Sequence, residues 1–305
     1  DYSMKNKFYL NEHQRNNLNG YMFILPALIF MIALIGYPTI YNFIISFQNI
    51  TAQTISNRFH QFIGFENYRS ILSDPLLKQS FLNTILYTVG CLVFQFSIGF
   101  LLALFFSKKF RLSKLIRGLL VISWMLPVTV TALIFKFMFS EGNGIINQIL
   151  MNLHFISNPV NWLTNGSTAM WSLIIANSWI GIPFNMLLLT TGLNNISDEV
   201  LEAASIDGAN GIQKFFHITI PLLKPTIMSV LVLGFVYTFK VFDLVFVMTN
   251  GGPVDSTQVL STYSYKLSFS YFRFGEGAAA ANILFMCLFV VALIYLKLVS
   301  DDEVM

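Results

Sequence analysis

Few residues of the chain have the type and spacing to do covalent chemistry. The four histidines, His13, His60, His154 and His217, are scattered, and no G-x-S-x-G or H-E-x-x-H organises a nucleophile or a metal around them. No G-x-x-x-x-G-K-[ST] occurs, so the chain does not cradle nucleotide phosphates by itself. Cys91 and Cys287 each lie in an apolar run without a metal ligand close by, and read as small buried hydrophobes. The polar groups that stand out are of two other sorts. One is an Ala-rich acidic run between Asn194 and Pro225; the other is a set of Asn, Ser, Thr and Gly residues inside apolar stretches, where charge is sparse: Lys136, Lys240, Asp243 and the boundary residue Glu276.

Such groups need a scaffold, and the composition names it. Of 305 residues, 11% are charged and 55% hydrophobic, and the mean hydropathy is +0.65. So little charge cannot cover a water-soluble surface of this size, and 31 Phe with 12 Tyr exclude a solvated coil. The net charge of +3 comes without a basic stripe interleaved with aromatics, so nucleic acid is excluded as a partner. The first apolar run is long and lacks a small-residue cleavage site, so it reads as a span and not a cleaved signal.

A crossing helix needs about 20 apolar residues, and six stretches qualify. They are 21–47, 80–106, 118–139, 168–193, 225–248 and 276–298. The fold class is therefore an all-α membrane protein with six transmembrane helices. With the N-terminus inside, the inner segments carry Lys5, Lys7, Arg15, Lys108, Lys109, Arg111, Lys114, Arg117, Lys214, Lys224 and Lys297. The outer segments carry only Arg58, Arg69, Lys78, Lys266 and Arg273. That bias expects both termini in the cytoplasm. The domain plan is a tail at 1–19, a membrane domain at 20–299 and a tail at 300–305. Intramembrane charge is too sparse for a typical ion-coupled pump, which points to an energy source outside the chain.

The loop at 194–225 is the most informative segment. Ser197 is a helix N-cap, Asp198 and Glu199 suit the positive end of that helix, and Val200 to Ile206 make about two turns. Ala203 and Ala204 keep one side thin. Gly208 stands where a helix stops with positive φ. Ile212 to Ile218 then form a second short helix that Pro221 ends. The product is a helix–turn–helix elbow against one membrane face, either a mere connector or a surface that docks into a partner's groove.

Glu202-Ala203-Ala204-x-x-Asp207-Gly208-Ala209, followed by Ile218-Thr-Ile-Pro221, resembles the EAA loop of ABC-importer permeases. With it stand Phe242-Asp243, Thr249-Asn-Gly-Gly-Pro253, Thr257 and Gly275-x-Gly-Ala-Ala-Ala280. This set is similar to the carbohydrate-type permeases, the maltose and glycerol-3-phosphate permease group; Asn67-Tyr68 and Asn83-Thr84 are similar to that group's early segment. The resemblance covers about 21–298 and departs trivially at Ile220. It implies a type I ABC importer permease (MetI-like) core without the large extra outer domain of the maltose-type subunit. It further implies that the elbow is a coupling helix seated in an ATPase subunit, with polar contacts from Glu202 and a tight turn at Gly208. The chain itself would be non-catalytic and bind no cofactor, with ATP and Mg on two partner ATPase subunits. A second homologous permease (a heterodimer), an extracytoplasmic solute-binding protein and a di- or oligosaccharide complete the implied system, in a prokaryotic cytoplasmic membrane. The rival reading is an ion-coupled secondary sugar transporter.

In span four, Pro183 cannot donate to the carbonyl of Trp179 and crowds it, which predicts a kink. Asn177, Gly181, Phe184 and that carbonyl share a face suited to sugar hydroxyls, or alternatively to helix packing through Gly and Asn. The resemblance places sugar contacts on Asn177, Ser178, Gly181 and Phe184. It places a second set on Gly234, Thr238 and Val241 of span five, where only Thr238 has a hydrogen-bonding side chain. Lys240 and Asp243, three apart, read as a pair across one turn, or else Lys240 meets a charged substrate. The aromatics Tyr263, Tyr265, Phe269, Tyr271, Phe272 and Phe274 read as an interfacial belt.

Overall fold

The computed structural model describes the backbone of residues 12–108 and 110–303, and the side chains of 20–108 and 110–297. Lys5, Lys7, Lys109 and the extreme ends of both expected tails lie outside the described residues, and the side chain of Arg15 is not described.

Helix α1 comprises Glu12–Met31, a π turn at Ile32–Gly36, and Tyr37–Ser46, so residues 12–19 of the expected tail are already helical. Six helices follow before the elbow. They are α2 (Glu66–Leu72), α3 (Pro75–Ser107), α4 (Ser113–Met125), α5 (Val128–Met138), α6 (Ile145–Asn152) and α7 (Gly166–Asn194), then the elbow helix α8 (Asp198–Ile206). Helix α9 (Gly211–Phe239) leaves the elbow, and α10 (Asp243–Met248), α11 (Leu260–Tyr265) and α12 (Phe274–Glu303) complete the chain. Helices α1, α3, α7, α9 and α12 are each long and apolar enough to cross a membrane; α4 with α5 makes a sixth crossing only as a bent pair.

Two spans differ from the sequence reading. The third is not straight: α4 and α5 meet at 94°. Pro127 forces the residue before it out of the α region, and Leu126 is extended (ψ 141°). The fifth begins at Gly211 and not near Pro225, because Pro221 does not end the second elbow helix. A π turn at Phe215–Thr219 widens the ladder ahead of the proline, with Ile220 N donating to the Phe215 carbonyl, and the helix continues through Pro221 and Pro225. It ends at Phe239, and the rest of that apolar run becomes the separate α10 packed on α5.

The core is the seam between α3 and α7, where the most extensive helix pairing lies. Each helix is notched by glycine where the other presses in. A Cβ at Gly90 would stand 2.8 Å from Ile174 Cδ1, and one at Gly99 would stand 2.6 Å from Asn185 Cβ. In lipid, where burial gives no hydrophobic gain, such close approach supplies the attraction. Helix α9 packs on both, with Gly234 meeting Leu92 and Gly192 meeting Leu223 and Thr226.

The motif residues at the opposite end from the elbow are joints. Asn67 Nδ2 donates to the carbonyls of Ser46 and Gln48, and Asn83 Nδ2 donates to those of Ser256 and Gln258. Leu260 N donates to Thr84 Oγ1 (3.0 Å). A relay from Asn42 to Asn282 to Tyr68 ties α1, α12 and α2 together. Ala279 and Ala280, fully buried, let α12 close on Ile71, Leu260 and Tyr263. Tyr263 is not in a belt: it is buried, and its hydroxyl donates to Asp74 (2.7 Å). Burial and that carboxylate push its phenol far above the usual range, so it remains a donor. Phe269, Tyr271 and Phe272 do stand exposed as a belt requires.

Replacing Gly99 with Leu should therefore destabilise the bundle by about 1–3 kcal/mol through overpacking. The readout is a lower temperature for loss of the monodisperse peak in detergent; an unchanged temperature would refute the close approach of α3 and α7.

Candidate functional site: elbow and helix-seam polar groups

The elbow forms as its local chemistry dictates. Ser197 Oγ accepts from Glu199 N (3.2 Å) and caps α8. At the far end Gly208 takes φ +84°, Gly208 N donates to Ser205 O and Ala209 N to Ala204 O, which is a Schellman closure. Asn210 and Gln213 exchange bonds in a capping box that starts α9, a signal the sequence reading did not use. Lys214 Nζ crosses to Ser205 Oγ (3.0 Å), joining the two arms.

With its backbone so closed, the elbow still leaves large apolar groups bare. Ile206 is 87% exposed, Ile212 73% and Phe216 61%. Glu202, Ala203, Asp207 and Gly208 are exposed beside them, and Ala204 is half-buried. A patch of this kind on a capped turn has the chemistry of a surface that meets a protein or a membrane.

The structure gathers part of the second candidate set and packs the rest away. Helix α7 runs on through Pro183, and the Trp179 carbonyl that lacks a partner in its own helix is approached by Ser123 Oγ (3.5 Å). Gly181 faces α3: the Gln95 side chain fills the space a Cβ would need, and Gln95 Nε2 donates to the Asn177 carbonyl (3.1 Å). Gln95, 4% exposed, went unnoticed in the sequence because only the folded pairing brings it to Gly181. Asn177 is half-buried; Ser178 is buried with no partner for its hydroxyl. Gly234 and Thr238 are buried within the chain, and Val241 is half-buried, its carbonyl accepting from Ser261 Oγ.

Phe184 is different. It stacks on Trp124 (5.5 Å between centroids) and meets Tyr237 edge-on (6.2 Å). Tyr237 and Trp124 are exposed, and Lys240 Nζ lies 5.4 Å from the Tyr237 ring centre. The three rings form an open aromatic ledge contributed by α4, α7 and α9. Lys240 does not pair with Asp243: no ion pair joins them among the described residues, because α9 ends at Phe239 and residues 240–242 are not helical.

Comparison with known proteins decides the family. Residues 95–302 match the model described as the binding-protein-dependent transport system inner membrane component. The chain belongs to that family. It is 34% identical over 281 residues to the arabinooligosaccharides transport system permease protein AraP of Bacillus subtilis, covering 91% of this chain and 87% of the relative. It is 31% identical over 281 residues to the trehalose/maltose transport system permease protein MalF of Thermococcus litoralis, covering 91% and 92%. Among solved structures, a bacterial ABC transporter for import of the acidic polysaccharide alginate superposes with a TM-score of 0.78. Its identity is 21%, over 93% of this chain and 96% of that one. The resemblance carried by the elbow motif is thus borne out: this is a multi-pass inner-membrane component grouped with the sugar permeases of ABC importers, with the permease core fold that the neighbour shows.

The Gln95–Gly181 contact makes a reciprocal prediction. Gly181→Ala should destabilise by about 1–3 kcal/mol, and adding Gln95→Ala should return part of that loss by clearing the notch. Additive losses in the double variant, measured by thermal unfolding, would show that the two do not meet.

Proposed function

We propose that the chain is one permease subunit of an ATP-driven sugar importer and forms half of its translocation path. The observation that carries this reading is the elbow: a doubly capped, internally cross-linked turn that nonetheless bares Ile206, Ile212 and Phe216. These residues insert into a cleft of an ATPase subunit, Glu202 and Asp207 make polar contacts at its edge, and thin Ala203 lets the helix seat deeply. Two such ATPase subunits hold ATP and Mg; this chain binds neither. A second, homologous permease supplies the other half of the path, and both termini lie in the cytoplasm.

The coupling is mechanical. When the ATPase pair closes on nucleotide it displaces the docked elbow. Because the elbow's second arm is the start of α9, and α8 is joined to α7 through 195–197, the displacement reaches the residues of the path as a tilt of the two helices. Access then alternates between the two membrane faces.

The names of the relatives support a di- or oligosaccharide cargo delivered by an external binding protein. The ledge of Trp124, Phe184 and Tyr237 suits the apolar face of a sugar ring, and Lys240 beside it suits a hydroxyl or an acidic group. Asn177 and Ser178 on α7, with Gly234, Thr238 and Val241 on α9, stand on the helices that flank the ledge. On the face opposite the elbow, a cleft of about 460 Å3 is framed by Trp162, Asn161, Thr249 and Pro253, and it suits contact with the binding protein.

Gly208→Val should leave the bundle assembled, since nothing lies within 4 Å of a Cβ there, but strain the φ +84° turn by about 1–2 kcal/mol and displace the docking helix. Uptake in proteoliposomes should fall at least tenfold while nucleotide hydrolysis persists. Normal uptake would refute the coupling role. Ile206→Asp with Phe216→Asp should reduce copurification of the ATPase subunit; undiminished copurification would place its contact elsewhere.

A further inference from the structure

The end of the bundle that carries the elbow also holds a groove of about 1000 Å3 that neither the docking surface nor the path uses. Four segments wall it: the ends of α3 and α7, the turn and first half of α4, and the inner side of the elbow. Ile206, Ile212 and Phe216 are not part of it.

Its chemistry is two-sided. Lys108, Arg111, Lys114 and Arg117 converge on it, and among the described residues none of the four has a carboxylate within ion-pair distance. Asp198 is the one acidic residue in the lining, against five cations once Lys214 is included. Gathering like charges without counter-ions is unfavourable unless an anion joins them. The floor, in contrast, is apolar, with Leu104, Phe110, Leu193 and Phe215 among its residues. A small inorganic anion would satisfy the rim and leave that floor wet.

Position selects the ligand. The groove opens at the ends of two helices long and apolar enough to cross a membrane, α3 at Ser107 and α7 at Asn194, where such helices pass from hydrocarbon to headgroups. Cationic residues at that depth face lipid phosphates. We propose that the groove binds an anionic phospholipid, its phosphate held by Lys108, Arg111, Lys114 and Arg117 and its glycerol and upper acyl carbons lying on Leu104 and Phe110. The lipid fastens the elbow to the membrane surface. This inference requires only that the chain is embedded in a bilayer and stands apart from the coupling reading.

Native mass spectrometry of the full chain with its copurifying subunits, released from nanodiscs of phosphatidylcholine with or without phosphatidylglycerol, tests it. Wild type should retain a phosphatidylglycerol adduct that Arg111→Gln/Lys114→Gln/Arg117→Gln weakens about a hundredfold, and that Arg111→Lys/Lys114→Arg/Arg117→Lys keeps. Equal retention by wild type and the Gln variant would overturn the proposal. So would displacement of the adduct by inorganic phosphate, which would mark a free-anion site. Loss of a copurifying subunit from the Gln variant in phosphatidylcholine alone, with adducts unchanged, would assign the cations to a protein contact and would equally overturn it.

Discussion

The structure depends on how closely α3 and α7 can approach. Two apolar helices in lipid gain nothing by leaving the lipid, so they stay together only through dense contact and a few buried polar bonds. Here the contact is notch against knob in both directions: Gly90 under Ile174, Gly99 under Asn185, and Gly181 under Gln95. Gln95 adds the polar bond, donating to Asn177 O. The two helices also hold the chain's other working parts. Asn83 and Thr84 on α3 fix the loop at 256–260, and α7 leads directly into the elbow.

Polar chemistry is divided between the two ends of the molecule. At the end opposite the elbow it is spent on fastening: Asn67, Tyr68 and Asn83 each hold main-chain or side-chain groups of a distant segment, Thr257 closes its own loop onto Gly252, and Lys266 pairs with Asp255 at 2.8 Å. At the elbow end the local backbone is satisfied within a few residues, and side chains are left over for contact. That asymmetry separates a fastened frame from an end whose side chains remain open to contact.

What the sequence made legible follows from range. The elbow's cap, its Gly208 turn and its two arms rest on neighbours a few residues apart, so residue type alone sufficed. Span lengths were legible because apolar runs are long. Span breaks were not: the run through Leu126 and Pro127 stays apolar across a 94° bend, and the run from Phe239 into α10 stays apolar across a helix end. Pro221 misled in the other direction, since a π turn absorbs it. The expected Lys240–Asp243 pair failed with the helix end between them. Gln95, Trp124 and Tyr237 gain meaning only from partners on other helices, beyond the reach of spacing rules.

The uninterrupted helix from Gly211 to Phe239 has a geometric consequence. At 1.5 Å per residue it is a rod roughly 40 Å long, with the elbow at one end and Tyr237 near the other. A tilt of about 10° about one end of such a rod moves the other end by about 7 Å, so small angles at the elbow and large shifts at Tyr237 are geometrically linked.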